Sequence, residues 1–134
     1  MTTLTTDYKG SLRTENIHTR SGSVVITDAP VDNQGRGEAF SPTDLVCTAL
    51  SSCMLTTMGI LAERENIDLR GLKTEVIKIM GSSPRKIAEI QVTLWHDALN
   101  ATDVQKQKLR NAALTCPVAL SLHESVKQTV TFNF

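Results

Sequence analysis

From Leu45 to Ala62 the chain runs without a single charge, and any fold it adopts has to cover that run. The start is sharply marked. Ser41 stands where an N-cap belongs, Pro42 fits the first helical position, and Asp44 follows Ser41 at the capping-box spacing. A helix is therefore expected from there to about Glu65-Asn66. The uncharged length touches the lower limit of a membrane span, about 18 residues. However, Thr48, Ser51, Ser52, Thr56 and Thr57 interrupt it, Asp44 and Glu63-Arg64-Glu65 flank it, and no second apolar span accompanies it. It reads as a fully buried helix of a soluble protein, with apolar residues on every face that the remaining chain must wrap.

What remains to wrap it is mostly strand. Residues 8–27 read as two or three strands of a meander, clearest at Val24-Val25-Ile26-Thr27, and Asp28 to Phe40 as loop. Thr74–Met80 reads as a strand, Gly81 to Pro84 as a turn and Ala88–His96 as the returning strand, with Ile90, Val92 and Leu94 on one face. Thr102 and Gln105 repeat the capping-box spacing and open a helix to about Leu114. Pro117 starts a short helix ending near His123, and Val126–Phe134 closes as a strand. The class is α+β, and residues 1–134 read as a single domain. One modest sheet and two short helices are thin cover for a helix apolar all round, and sharing a core with a second copy would supply the rest. Cover from within one chain is the alternative.

Lysine plus arginine equals aspartate plus glutamate, 14 each, so neither nucleic acid nor an anionic membrane is implied as a partner. Short basic runs such as Pro84-Arg85-Lys86 read as solvated turns. The polar start, Met1-Thr-Thr-Leu-Thr-Thr, lacks the basic and apolar regions of a secretory signal, so the reducing cytoplasm is the expected compartment. An odd count of three cysteines also speaks against a disulfide framework.

Cys47 and Cys53 lie on the same helix, about 9 Å apart along its axis at ~1.5 Å per residue, and cannot pair without unwinding it. Cys116 immediately precedes Pro117, which makes it a candidate N-cap. That place favours thiolate through unpaired amides and the positive end of the helix. Buried cysteines commonly act as small hydrophobes. From the residues alone, Cys47 is packing, Cys53 leans the same way, and Cys116 stands evenly between packing and chemistry. No C-x-x-C is present, and His18, His96 and His123 show no ligand spacing to the cysteines, so no metal or other cofactor is expected.

The run Gly37-Glu-Ala-Phe-Ser-Pro-Thr-Asp-Leu-Val-Cys-Thr-Ala-Leu-Ser-Ser-Cys53-Met-Leu-Thr-Thr-Met-Gly-Ile is followed 63 residues after Cys53 by Ala113-Leu-Thr-Cys116-Pro-Val-Ala. These paired motifs, at this separation, resemble the OsmC/Ohr family of osmotically inducible and organic-hydroperoxide-resistance proteins, and the likeness extends from Tyr8 to Phe134. It implies an intertwined homodimer in which antiparallel sheets of both chains wrap a long buried central helix, with active sites at the subunit interface. It further implies that Cys53 is the peroxidatic cysteine, that Cys116 resolves it, and that an arginine of the first strands stabilises the thiolate. Arg13 is the best match, ahead of Arg20 and Arg36. The hydroperoxide branch has Pro-Glu at the helix start, the glutamate holding the arginine ten residues before the cysteine. Here Thr43 takes that position, which leaves Glu38 and Asp44 as candidate arginine partners and places the chain nearer the broad OsmC-like branch.

By this resemblance the chain is expected to reduce organic hydroperoxides, with hydrogen peroxide as a further substrate, by way of a Cys53 sulfenic acid that Cys116 resolves and an external dithiol recycles. Two other readings stand beside it: a non-catalytic dimer binding an apolar or thiol ligand, and a redox sensor whose disulfide alters a partner's binding.

Overall fold

The structure, a computed structural model, describes residues 1–134. It divides into two compact units, Met1–Val46 and Cys47–Phe134. The first holds a three-stranded meander of β1 (Leu4–Gly10), β2 (Arg13–His18) and β3 (Val24–Asp28), all antiparallel. β1 begins earlier than the alternation at Tyr8 announces. Its threonine-rich start reads as a polar terminus, yet the β-branched side chain of threonine suits a strand. The β2–β3 hairpin closes through His18 and Ser23, and its register sets Arg13 opposite Asp28. The Thr14 and Thr27 hydroxyls bond across the same pair of strands.

The loop after β3 makes one 3-10 turn at Val31–Asn33. Its path depends on Gly35, where a Cβ would fall 1.7 Å from the Ala29 carbonyl oxygen. Gly37 adopts a left-handed φ of 62°, where a side chain would also meet Val31.

Helix α1 (Pro42–Arg64) starts in the first unit and continues into the second. Its capping box is formed as the sequence implies. The Asp44 amide donates to Ser41 Oγ at 3.1 Å, and the Ser41 amide donates to the Asp44 carboxylate at 2.9 Å. The helix is long and apolar enough to cross a membrane, a property it shares with core helices. Within one chain, full wrapping is not what is seen. Cys47, Leu50, Met54, Met58 and Ala62 form a buried stripe, whereas Ala49, Ser52, Thr56, Ile60 and Glu63 form an exposed one. The outward stripe consists mostly of small and polar side chains rather than large apolar ones.

The second unit adds β4 (Lys73–Gly81), β5 (Lys86–Trp95), α2 (Asp103–Leu114), α3 (Pro117–Ser121) and β6 (Lys127–Asn133). Its sheet has the order β4-β5-β6, so β5 is central, and Ile90, Val92 and Leu94 are fully buried. A bulge opposite Ile79 and Met80 inserts Ala88, which brings Ile87 into the core as well. The β5–β6 pair is parallel. This corrects the expectation of purely antiparallel sheets. The chain between these strands crosses through α2 and α3 and so returns β6 in the direction of β5, as parallel pairing requires.

The second helix has the full capping box of Thr102 and Gln105. Its Arg110 donates to the Phe134 carbonyl at 2.7 Å and lies over the Phe134 ring, tying the last strand to the helix. Gln128 of β6 donates to the Ala119 carbonyl at 3.0 Å, which fixes α3 against the same strand.

Candidate active site

Cys53 lies midway along α1, half-buried. One turn later the Thr57 hydroxyl donates to the Cys53 carbonyl at 2.8 Å, and the Ser51 hydroxyl donates to the Thr48 carbonyl at 3.2 Å, so both are satisfied by the helix itself. Cys116 is the N-cap of α3, with Pro117 at the first helical position. Its sulfur accepts the Ala119 amide at 3.4 Å, and Cys53 lies near enough to act on the Cys116 thiol. Two cysteines that are 63 residues apart in the chain therefore meet within one unit.

The N-cap position was expected to favour thiolate at Cys116. The structure reverses the sign. Cys116 is wholly buried, and desolvation pushes its thiol above the ordinary range. The Ala119 amide pulls the other way but by less, and the nearby Cys53 raises the thiol further. A thiol so placed keeps its proton. Cys47 lies on the buried stripe beside Leu50 and Met54, as its packing role requires.

Arg13 opens β2 in the first unit. Its Nε donates to Asp28 Oδ1 at 2.7 Å and its Nη2 to Asp28 Oδ2 at 2.8 Å, a bidentate pair. The same Nη2 reaches Glu38 Oε2 at 3.2 Å. Of the two expected arginine partners, Glu38 is present and Asp44 is not, because the Asp44 carboxylate serves the Ser41 amide. Thr43, at the helix position expected to hold the arginine, places its hydroxyl 3.2 Å from Ser41 Oγ.

The principal partner, Asp28, was missed. Read as the first residue of a loop, it is in fact the last of β3, and its side chain has no exposed surface. The Arg13 guanidinium holds the Asp28 carboxyl below the ordinary aspartate value, against the opposing effect of burial. Arg36 and the Glu38 amide add smaller shifts in the same direction. Arg13 is correspondingly held above its ordinary value by the Asp28 hydrogen bonds.

In the second unit a groove of about 470 Å³ is lined by Thr57, Ile60, Arg64, Lys108 and Thr115 among others. Thr57 is one turn from Cys53, and Thr115 adjoins Cys116. Lys108 on its rim also pairs with Glu65 at 3.3 Å. No three His, Cys, Asp or Glu side chains gather in an arrangement able to hold a metal.

Comparison with known proteins follows the same lines. A search of curated proteins finds no match. A family model described as OsmC-like protein matches residues 35–131. Among solved structures, a Psychrobacter arcticus protein is 47% identical, with a TM-score of 0.94 over 99% of this chain and 96% of that one. It carries the provisional description of an osmotic stress induced and detoxification response protein. A Legionella pneumophila organic hydroperoxide resistance protein shares the fold at 18% identity and TM-score 0.72, covering 100% of this chain and 98% of that one. A Vibrio cholerae protein, provisionally described as an organic hydroperoxide resistance protein, has captopril bound in one of its active sites. It aligns at 13% identity and TM-score 0.74 over 99% and 92% of the two chains. With its paired cysteines, its fold and a family match across most of its length, this chain belongs to the OsmC-like family.

Proposed function

We propose that this protein is a cysteine-based peroxidase that reduces organic hydroperoxides and works as a cytoplasmic homodimer. The observation that carries the reading is the proximity of Cys53 to Cys116, close enough to raise the Cys116 thiol. Cys53, the more accessible of the two, attacks the terminal peroxide oxygen as thiolate. The O–O bond breaks, the alkoxide takes a proton and leaves as alcohol, and Cys53 becomes a sulfenic acid. Cys116 then attacks the Cys53 sulfur, forming the disulfide and releasing water. An external dithiol reduces that disulfide and is itself oxidised.

The apolar setting of α1 suits an alkyl hydroperoxide but opposes a charged sulfur, so a cation is required. Arg13, held by carboxylates in the first unit, is the residue assigned that work. The exposed stripe of α1 is the surface assigned to the second copy, consistent with a helix whose own chain covers only one side of it.

The test is turnover of cumene hydroperoxide against hydrogen peroxide with dithiothreitol or dihydrolipoamide as reductant. Faster consumption of the organic peroxide, lost in Cys53→Ser, is the expected result. No consumption of either would leave a ligand-binding or sensing dimer in its place.

A further inference from the structure

The two sulfurs of the pair, both within the second unit, differ in what can reach them. Cys116 is 0% exposed, whereas Cys53 is only half-buried. The backbone holds Cys116 in place from both directions. Its amide donates to the Ala113 carbonyl at 3.4 Å, and its carbonyl accepts the Leu120 amide at 3.1 Å. Thiol–disulfide exchange needs the incoming sulfur to approach along the S–S axis from behind the sulfur it attacks, so access selects the target.

Leaving-group strength pulls the other way. Burial raises the Cys116 thiol, and a sulfur that holds its proton tightly is expelled more slowly. The Ala119 amide offsets part of that handicap. It donates to Cys116 Sγ at 3.4 Å and, as a first-turn amide, has no carbonyl of its own helix to serve. The Val118 amide acts on the same sulfur. Such donors stabilise a sulfur most when it carries charge.

We infer that reduction of the disulfide has a fixed polarity: the external dithiol attacks Cys53 Sγ, Cys116 Sγ is the leaving group, and the Ala119 amide receives the charge that develops there. The inference rests on the function proposed above and deepens it by assigning the reductive half of the cycle. One thiolate of the reductant bonds to Cys53 Sγ, the Cys53–Cys116 bond breaks, and its electron pair goes to Cys116 Sγ, which takes up a proton. The second thiol of the reductant then attacks its own sulfur in the mixed disulfide. Cys53 is expelled as thiolate, and the reductant leaves as a disulfide. Once protonated, the buried Cys116 is slow to attack back, so the mixed disulfide on Cys53 lasts until the reductant completes its exchange.

For the test, the full chain is oxidised with diamide, and intact mass confirms the loss of two hydrogens. 2-Mercaptoethanol then opens the bond, since a monothiol cannot release itself from the mixed disulfide. Acid quenching and peptide mass spectrometry at early times locate the adduct, which should lie on Cys53. In Ala119→Pro, which removes the N–H, opening should slow by roughly tenfold with the adduct still on Cys53. Should that variant fail to fold, an ester in place of the Val118–Ala119 amide removes the same N–H without the ring. It is introduced by ligating a synthetic segment of residues 116–134 at Cys116.

An adduct on Cys116 overturns the inference and leaves the peroxidase reading in place. An unchanged opening rate without the N–H overturns the role of Ala119. If diamide forms no bond between Cys53 and Cys116, the pair itself fails, and the function proposed above fails with it.

Discussion

The Ala119 amide points at the Cys116 sulfur from 3.4 Å, so α3 is capped by a thiol where serine or aspartate is more usual. Burial outweighs this donor and keeps Cys116 protonated, whereas Cys53 is partly open. Native protein treated with iodoacetamide near neutral pH should therefore be modified at Cys53 well before Cys116. Peptide mass spectrometry after timed quenching checks the order. Equal labelling of both would contradict the buried N-cap.

The Arg13–Asp28 pair sets an expectation for acid stability. The folded Asp28 carboxyl titrates below its ordinary value of 3.8. Its contribution is therefore complete above that value and is lost as pH falls through the lower folded one. Thermal melts of wild type should fall in that window, and the drop should shrink in Asp28→Asn, which has no proton to gain. An unchanged acid limb in the variant would show that other carboxylates control it.

Assembly can be tested on the outward stripe of α1. Thr56 is exposed in the single chain, so arginine there disturbs none of the chain's own packing. In a dimer that seats this stripe against a second copy, the same arginine meets a closed interface. Sedimentation should give a dimer for wild type at micromolar concentration and a folded monomer or weakened dimer for Thr56→Arg. A stable wild-type monomer would remove the shared-core argument.

Local signals carried the element boundaries well, because caps and turns are written in adjacent residues. Ser41 with Asp44 and Thr102 with Gln105 are both realised as capping boxes. Long-range pairings were harder. The parallel return of β6 depends on the path of α2 and α3, which no strand pattern records. Asp28 was nonetheless within reach: a hairpin centred on Arg20 and Ser21 sets Arg13 opposite Asp28, and two opposite charges facing across antiparallel strands signal a pair. Reading Asp28 as loop composition hid it. The exposed stripe of α1 was hidden for another reason. Its small and polar residues scarcely interrupt an uncharged run, and hydropathy does not separate an outward face from one packed at home.

Cys47 offers a control for the assignment of the thiols. It is 6% exposed and lies in the buried stripe of α1. Cys47→Ala removes one sulfur from the packing and should cost roughly 1 kcal/mol of stability while peroxide consumption stays near wild type. A folded Cys47→Ala protein without activity would show that the reactive pair has been misassigned.

The pair itself is tested by separating its two steps. In the proposed cycle Cys53 performs the first step alone, and Cys116 is needed only once a sulfenic acid exists. Cys53→Ser should consume no peroxide, because the remaining thiol is buried and holds its proton. Cys116→Ser should consume about one equivalent and then stall as sulfenic acid, or pass to sulfinic acid with excess peroxide. Intact-mass spectrometry after a peroxide pulse reads each state directly. Wild type should lose two hydrogens as the disulfide forms, Cys116→Ser should gain oxygen, and Cys53→Ser should be unchanged. Arg13→Ala should slow the appearance of the disulfide without trapping sulfenic acid, if the cation serves the attack on peroxide, as proposed, and not its resolution. Accumulation of sulfenic acid in Arg13→Ala would instead place the arginine in the second step.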